Sequence, residues 1–322
     1  MNFEKEILRQ SVRSKNFISA FILGIVLVAQ QAYSQAAHPI YSQYMFNGLV
    51  INPAYTGSQE SMVATATSRA QWTGFDGAPN TQVASFHSPI KLSRSAVGGV
   101  FIHDEIAVIN QYAVYGTYAY RIPVSENAKI SVGAQAGISY YRSNLDDLFI
   151  VTPGGIPDPA FSQAETRYLP ILGLGVYYYS KRAYVGLAVP QVINNRWDNQ
   201  DAVSKSRQTR QFLLSAGYVF DIGANLKLKP NTLIKWVEGK EFQFDINANL
   251  LIHEFLWVGA SYRLDDSVDG LVQWNITPQL SLGYSYGWPI SDIATTQYGT
   301  HEILVSYRIK HNRHIVFSPR YF

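Results

Sequence analysis

The feature that most constrains this chain is a strict two-residue alternation of apolar and polar side chains. In residues 242–250, which read F-Q-F-D-I-N-A-N-L, every second residue is apolar and those between are Gln, Asp or Asn. Successive side chains of a β-strand point to opposite faces, so this segment predicts a strand with one apolar and one polar face. Similar segments recur from residue 61 to residue 309, which predicts an all-β chain.

The alternating segments number about fourteen, an even count within the range of closed antiparallel barrels. Short turns, such as 123–127 and the pair Asp265 and Asp266, alternate with long loops at 143–167 and 192–208. A transmembrane barrel normally has its short turns in the periplasm and its long loops outside. The predicted strands begin near residues 61, 80, 95, 109, 128, 168, 183, 209, 225, 241, 255, 267, 278 and 298.

Three properties favour a membrane barrel over a soluble sandwich. The charged fraction is only 15%, and many polar faces carry small glycine and serine residues where a soluble sheet would expose larger polar groups. Aromatic residues gather at segment ends, as a membrane-interface girdle requires. The fold expected is therefore an outer-membrane β-barrel of about fourteen antiparallel strands. The girdle candidates are Trp72, Tyr140, Tyr178, Trp236 and Trp288, and the predicted lipid face of 242–250 is Phe242, Phe244, Ile246, Ala248 and Leu250.

The N-terminal residues resemble an export signal. A basic stretch precedes the apolar run 17–29, which is too short to span a bilayer. The small residues Ala32 and Ser34 follow at the −3 and −1 positions of a cleavage site after Ser34. A short uncleaved anchor is the alternative. We therefore expect a signal peptide at 1–34, a periplasmic lead-in or plug at 35–60, a transmembrane barrel at 61–309 and a C-terminal tail at 310–322. Pro53 and Gly57 argue against a strand within 35–60.

The residue patterns give no support to an enzyme. His103, Asp104 and Glu105 lack further ligands at metal-site spacing, and no nucleophile elbow or phosphate-binding loop is present. We expect no cofactor and no catalytic residue. The low net charge, +3 for the whole chain, argues against nucleic-acid binding. A passive solute channel is the alternative function, because the inner face is polar. A lipid-modifying enzyme is the least supported function. Candidate lumen-lining residues are Lys227, Lys229, Lys235, Gln243, Asp245, Asn247 and Asn249.

Three stretches resemble the PorP/SprF family of outer-membrane proteins associated with type IX secretion. They are 41–57, the hairpin block 69–81 with the pattern R-x-Q-W-x-G-x-x-G-x-P-x-T, and the C-terminal region from His301. Thr56 stands where the family more often has alanine. The family-motif residues are Asn52, Pro53, Ala54, Tyr55, Gly57, Arg69, Gln71, Trp72, Gly74, Gly77, Pro79, Thr81, His301 and Glu302.

The resemblance implies a non-enzymatic partner of the type IX secretion system in the cell outer membrane. Such a protein would bind the C-terminal domain of a secreted adhesin or surface protein, for its secretion or surface anchoring, and would be connected with gliding motility. Its other partners would be the secretion machinery and the outer-membrane lipid bilayer. Contact with the periplasmic machinery alone is the alternative that the family suggests. The cargo would meet the loops 143–167 and 192–208 or enter the lumen, and the blocks 41–57 and 69–81 would be structural or would face periplasmic partners.

Overall fold

A computed structural model describes residues 40–144, 164–195, 210–238, 242–291, 297–309 and 321. The predicted signal peptide, most of the two predicted long loops and all of the predicted tail except Tyr321 lie outside the described residues. Within the described ranges, no helix has the length and apolar character needed to cross a membrane.

The described chain forms one antiparallel sheet that closes on itself. Strands β8 and β9 are two parts of one barrel strand interrupted at Val219, since both pair with β10, and the circle closes where β1 pairs with β15. The barrel therefore has fourteen strands, as predicted, and the largest error in a strand start is 168 against Glu165. The strands are β1 Met62–Ala70, β2 Asn80–Pro89, β3 Ser95–Ile106, β4 Ile109–Ser125, β5 Ala128–Ser143, β6 Glu165–Ser180, β7 Ala183–Val189, β8 Gln211–Tyr218, β9 Phe220–Gly223, β10 Leu226–Val237, β11 Phe242–Ile252, β12 Leu256–Arg263, β13 Ser267–Asn275, β14 Leu280–Pro289 and β15 Thr300–Ile309.

The apolar face of each alternating strand points out of the barrel and the polar face points in. On β11, Ile246 is 48% exposed on the outer surface, whereas its neighbour Asp245 is 1% exposed in the interior. The two-residue repeat of a strand causes this separation. Along β11 the predicted lipid face of 242–250 alternates in this way with the predicted polar face, which points inward.

The two barrel ends differ in their connections. At the end where β1 begins, no connection is longer than residues 90–94, and we call it the short-turn end. The opposite end, the long-loop end, carries the connections 71–79, 144–164, 190–210 and 290–299.

One predicted grouping is wrong. Turn length predicts that Asp265 and Asp266 lie on the same side as 123–127, but this turn joins β12 to β13 at the long-loop end. Alternate hairpins of an antiparallel barrel fall at opposite ends, so the number of preceding strands fixes the side of a turn and its length does not. The turn at 123–127 is also shorter than predicted, because Pro123 to Ser125 continue β4.

Residues 40–60 lie inside the barrel, and we call them the plug. They form three short 3-10 turns, Tyr44–Phe46, Gly48–Val50 and Pro53–Tyr55. The third begins at a proline, whose missing N–H is harmless there, and Asn52 caps it by accepting from the Ala54 backbone N–H. Gly57 has a φ of +73°, which favours glycine, and its substitution by a larger residue would also meet the side chain of Ala96.

Candidate functional site

A buried ion pair holds the start of the plug near the long-loop end. Arg69 on β1 and Glu302 on β15 are direct partners across the strand pair that closes the barrel, with Nη1 and Oε2 3.2 Å apart. The Glu302 carboxylate also accepts from the backbone N–H groups of Ser42 and Gln43, each at 2.9 Å. Arg69 donates to the Ser42 hydroxyl at 3.0 Å. These hydrogen bonds offset the cost of burying the two charges.

Inward-facing glycines form a seat for the middle of the plug. A Cβ on Gly133 would lie 2.4 Å from the backbone nitrogen of Ala54, and one on Gly175 would lie 2.1 Å from the Asn52 Oδ1. Asn52 then reaches the wall, where its Nδ2 donates to the carbonyl of Val176 at 3.1 Å. The motif residues Asn52 and Ala54 therefore pack against wall positions that are occupied by glycine and leave room for the plug.

The last plug residues are bound near the short-turn end. The Gly57 backbone N–H donates to His87 Nδ1 at 3.1 Å, and Arg121 Nη1 donates to the Gly57 carbonyl at 3.0 Å. The Thr56 hydroxyl lies 2.9 Å from that of Thr117 and donates to the Pro53 carbonyl. The departure from the family's usual alanine at Thr56 is thus accommodated by two hydrogen-bond partners.

Tyr44 connects the plug to the polar face of β11. Its hydroxyl accepts from Asn247 Nδ2 at 2.7 Å and lies 3.4 Å from Asp245. Burial, followed by the nearby Asp245 carboxylate, raises the pKa of Tyr44 well above its usual range, so it stays protonated. Asp245 in turn forms a buried ion pair with Arg263 at 3.2 Å.

The structure places the predicted lumen residues as follows. Asp245, Asn247 and Asn249 are buried together, and Asn249 donates to Asn247 at 2.8 Å. Lys229 is fully buried and donates to the carbonyl of Met45 at 3.4 Å. Lys235 is buried beside a smaller cavity, with Gln243 opposite it in the strand pair. Lys227 lies at the rim with Asp221 and Glu254.

The motif hairpin forms an ordered surface at the long-loop end, which we call the outer platform and define as residues 71–79 and 297–299. The Thr73 N–H donates to the Gly299 carbonyl at 2.9 Å, and the Tyr298 N–H donates to the Thr73 carbonyl at 2.7 Å. Gly74 packs against the Tyr298 ring, so closely that a Cβ would lie 2.2 Å from it. Phe75 and Tyr298 are left 52% and 77% exposed.

The remaining motif residues of the hairpin support this surface. The Gln71 N–H donates to the Pro79 carbonyl at 2.9 Å, which closes the base of the hairpin. The Gly77 carbonyl accepts from the Ala107 N–H of the neighbouring turn. Trp72 adopts a positive φ, and Thr81 donates its hydroxyl to Asp104 inside the barrel. These contacts fix the hairpin against β3 and β4.

Sequence reasoning missed some residues of this site and joined others that lie apart. His301 faces outward and contacts the Tyr284 hydroxyl at 2.8 Å, whereas Glu302 faces inward. The sequence does not single out Ser42, Gln43 or Tyr44 within the block 41–57, and it gives the glycines of the polar faces no contact of their own. The repeated inward glycines of β5 and β6 were the available signal. In the described part of the chain, no group of three or more His, Asp or Glu side chains could hold a metal ion.

Comparison with solved structures gives the fold. The chain is similar to the CymD monoaromatic hydrocarbon channel, with 13% identity, a TM-score of 0.50, and 87% of this chain and 96% of that chain covered. It is also similar to Omp33 of Acinetobacter baumannii (14% identity, TM-score 0.46, 79% and 100% covered) and to a Pseudomonas aeruginosa FadL homologue (11%, 0.44, 84% and 94%). No curated protein matches the chain.

A family model described as type IX secretion system membrane protein PorP/SprF matches residues 33–307. The match contains the plug, the buried Arg69–Glu302 pair and the hairpin of the outer platform. Because it spans most of the chain, and because the barrel is of the outer-membrane type, this chain belongs to the PorP/SprF family of type IX secretion membrane proteins and resides in the outer membrane.

Proposed function

We propose that this barrel binds the C-terminal domain of a secreted adhesin or surface protein and anchors it at the cell surface, without catalysing a reaction. The observation that carries the proposal is the outer platform, which is rigidly bonded and yet presents exposed aromatic rings. Recognition surfaces commonly consist of loops held by a rigid scaffold, and aromatic residues are enriched among their anchors.

Orientation supports this role. Short turns of outer-membrane barrels face the periplasm and long loops face outside. By this rule the outer platform is extracellular, on the same side as the predicted cargo loops 143–167 and 192–208. The periplasmic alternative for the block 69–81 is then not favoured. A surface protein that has left the secretion machinery would meet this end of the barrel first.

The plug disfavours the passive-channel alternative. It contacts the wall near both ends of the barrel, through Glu302 at one end and Arg121 at the other, and its middle touches the wall at Gly133 and Gly175. A channel predicts stable conductance of the purified barrel in a planar bilayer, whereas a plugged anchor predicts mostly closed traces.

The proposal is tested by crosslinking in intact cells. A tag in the loop 192–208 allows the barrel to be recovered, and mass spectrometry identifies what is attached. We expect a large secreted protein, linked through its C-terminal domain. Recovery of periplasmic machinery alone would instead favour a machine component, which is the family's other role.

A matched pair of variants tests the platform itself. Replacing Phe75 and Tyr298 together by alanine should reduce the recovered cargo while the barrel still folds, because both rings are largely exposed. The control is Leu92→Ala, which removes a fully exposed apolar side chain at the opposite end. Equal cargo recovery with the platform variant and the control would refute the platform as the binding surface.

A further inference from the structure

A cavity of about 680 Å³ lies inside the barrel near the short-turn end. Phe46 and Gln59 of the plug form one side of it, and the inner faces of β11 to β15 form the other. This is the opposite end of the molecule from the outer platform. Nothing in the proposed anchoring role uses the cavity.

The lining combines an aromatic wall with an amide wall. Trp257 is 5% exposed, and its ring centroid lies 5.9 Å from that of Phe46. Gln273 is 7% exposed, and its Oε1 has no hydrogen-bond partner within the described residues. A buried acceptor without a partner costs free energy, so this oxygen suits a ligand that brings an N–H or O–H donor.

A tyrosine from the far end of this chain is bound at the edge of the same cavity. The buried Lys229 donates a hydrogen bond from Nζ to the backbone carbonyl of Tyr321 at 2.5 Å, and Lys227 Nζ lies 5.5 Å from the centroid of the Tyr321 ring. Lys229 is itself positioned over the rings of Phe46 and Trp257, at 5.3 and 5.5 Å. The site thus already contacts a peptide carbonyl and an aromatic ring.

We propose that this cavity is a binding site for a short peptide segment that carries an aromatic residue, and that Tyr321 of this chain is its resident occupant. The two lysines bind the carbonyl and the ring of the aromatic residue. The Gln273 oxygen, which has no partner within the described residues, is available to accept a backbone N–H from such a segment. The aromatic wall of Phe46 and Trp257 supplies the apolar contact.

The test uses the chain's lack of cysteine. Ser281 lines the cavity, so Ser281→Cys provides a single thiol there, and its reaction with a maleimide is followed on the purified full-length barrel in detergent. Adding Tyr321→Ala should speed the reaction roughly tenfold, the effect of losing a contact of one to two kcal/mol. The synthetic peptide SPRYF should restore protection, and SPRAF should not.

A second thiol position serves as the control for local protection. Gln111→Cys lies at the other end of the barrel, and its reaction rate should not change with Tyr321→Ala. Gln273→Leu should raise the SPRYF concentration needed for half protection about fivefold, because it removes one hydrogen-bond acceptor. Heat-modifiable gel migration confirms that each variant is folded. An unchanged rate with Tyr321→Ala, or equal protection by both peptides, would overturn the proposal whatever the outer platform binds.

Discussion

At the scale of single residues, the Arg69–Glu302 pair has more than one structural role. Its two members lie on the first and the last strand, and both also bind the plug through Ser42. Because Glu302 is fully buried, its charge depends on Arg69 and the two backbone N–H donors for compensation. Removing one member leaves the other charge buried and uncompensated, which costs more free energy than replacing both members by apolar residues.

We therefore expect Glu302→Ala to be strongly destabilising, by about 3–5 kcal/mol, since it leaves the buried Arg69 without its carboxylate. The measurement is the urea dependence of barrel unfolding in detergent, together with protease cleavage within the plug. The control is Glu254→Ala, which removes a half-exposed partner of Lys227 and should cost at most about 1 kcal/mol. Similar losses in both variants would contradict the role given to the buried pair.

Gly133 offers a second test with a closely matched control. Gly133→Ala introduces a methyl group 2.4 Å from the plug backbone, so the plug has to shift and should become more sensitive to protease. Gly116→Ala lies on the outward face of the neighbouring strand β4. The nearest atom to its added methyl group would be the Gly98 carbonyl oxygen at 4.0 Å, so this variant should leave the plug protected. Equal protease resistance of the two variants would show that binding of the plug does not require glycine at position 133.

At the scale of elements, the strands were the most predictable part of this chain. In β11, Phe242 to Leu250 alternate without error, and that alternation alone decides which side chains face lipid. The plug was less predictable, because residues 40–60 have no strand or long-helix periodicity. Pro53 and Gly57 excluded a strand but could not tell a lead-in from a plug, since that depends on long-range contacts such as those of Glu302 and Gly175.

The lipid-facing assignment of β11 can be tested by placing a charge at two different depths in the bilayer. Ile246→Arg places a charge on the outer surface near the middle of the strand and should cost roughly 2–4 kcal/mol, whereas the same change near a membrane interface costs about 0–1 kcal/mol. Phe242→Arg, on the same face at the start of the strand, is the matched control. Folding yield into lipid vesicles and unfolding in urea measure both. A larger loss at Phe242 than at Ile246 would contradict the assigned depth.

At the scale of the whole molecule, the number of strands that precede a turn, odd or even, decides at which end of the barrel the turn lies. Asp265 and Glu126 both lie in tight turns, and turn length gives them the same predicted side. The closed topology places them at opposite ends. The predicted strand order was sufficient to assign each turn, since every strand starts within three residues of its predicted position, and the error at Asp265 came from using turn length in place of strand order.

This placement predicts which turn can be labelled from outside. Asp265→Cys should react with a membrane-impermeant maleimide on intact cells, because it lies at the long-loop end, which we expect to be extracellular. Glu126→Cys should react only after the outer membrane is permeabilised. The introduced thiol is the only one in each variant, since the chain has no cysteine. The reverse labelling pattern would mean that the barrel has the opposite orientation in the membrane, with the outer platform in the periplasm.

The pairing of Arg69 with Glu302 has a consequence for the order of assembly. The plug precedes β1 along the chain, yet its first residues are bound by β15, the last of the described strands. Because Arg69 and Glu302 bind each other and also Ser42 of the plug, the seam between β1 and β15 has its full set of contacts only when the plug is in the lumen. Closure of the seam and binding of the plug therefore stabilise one another during assembly.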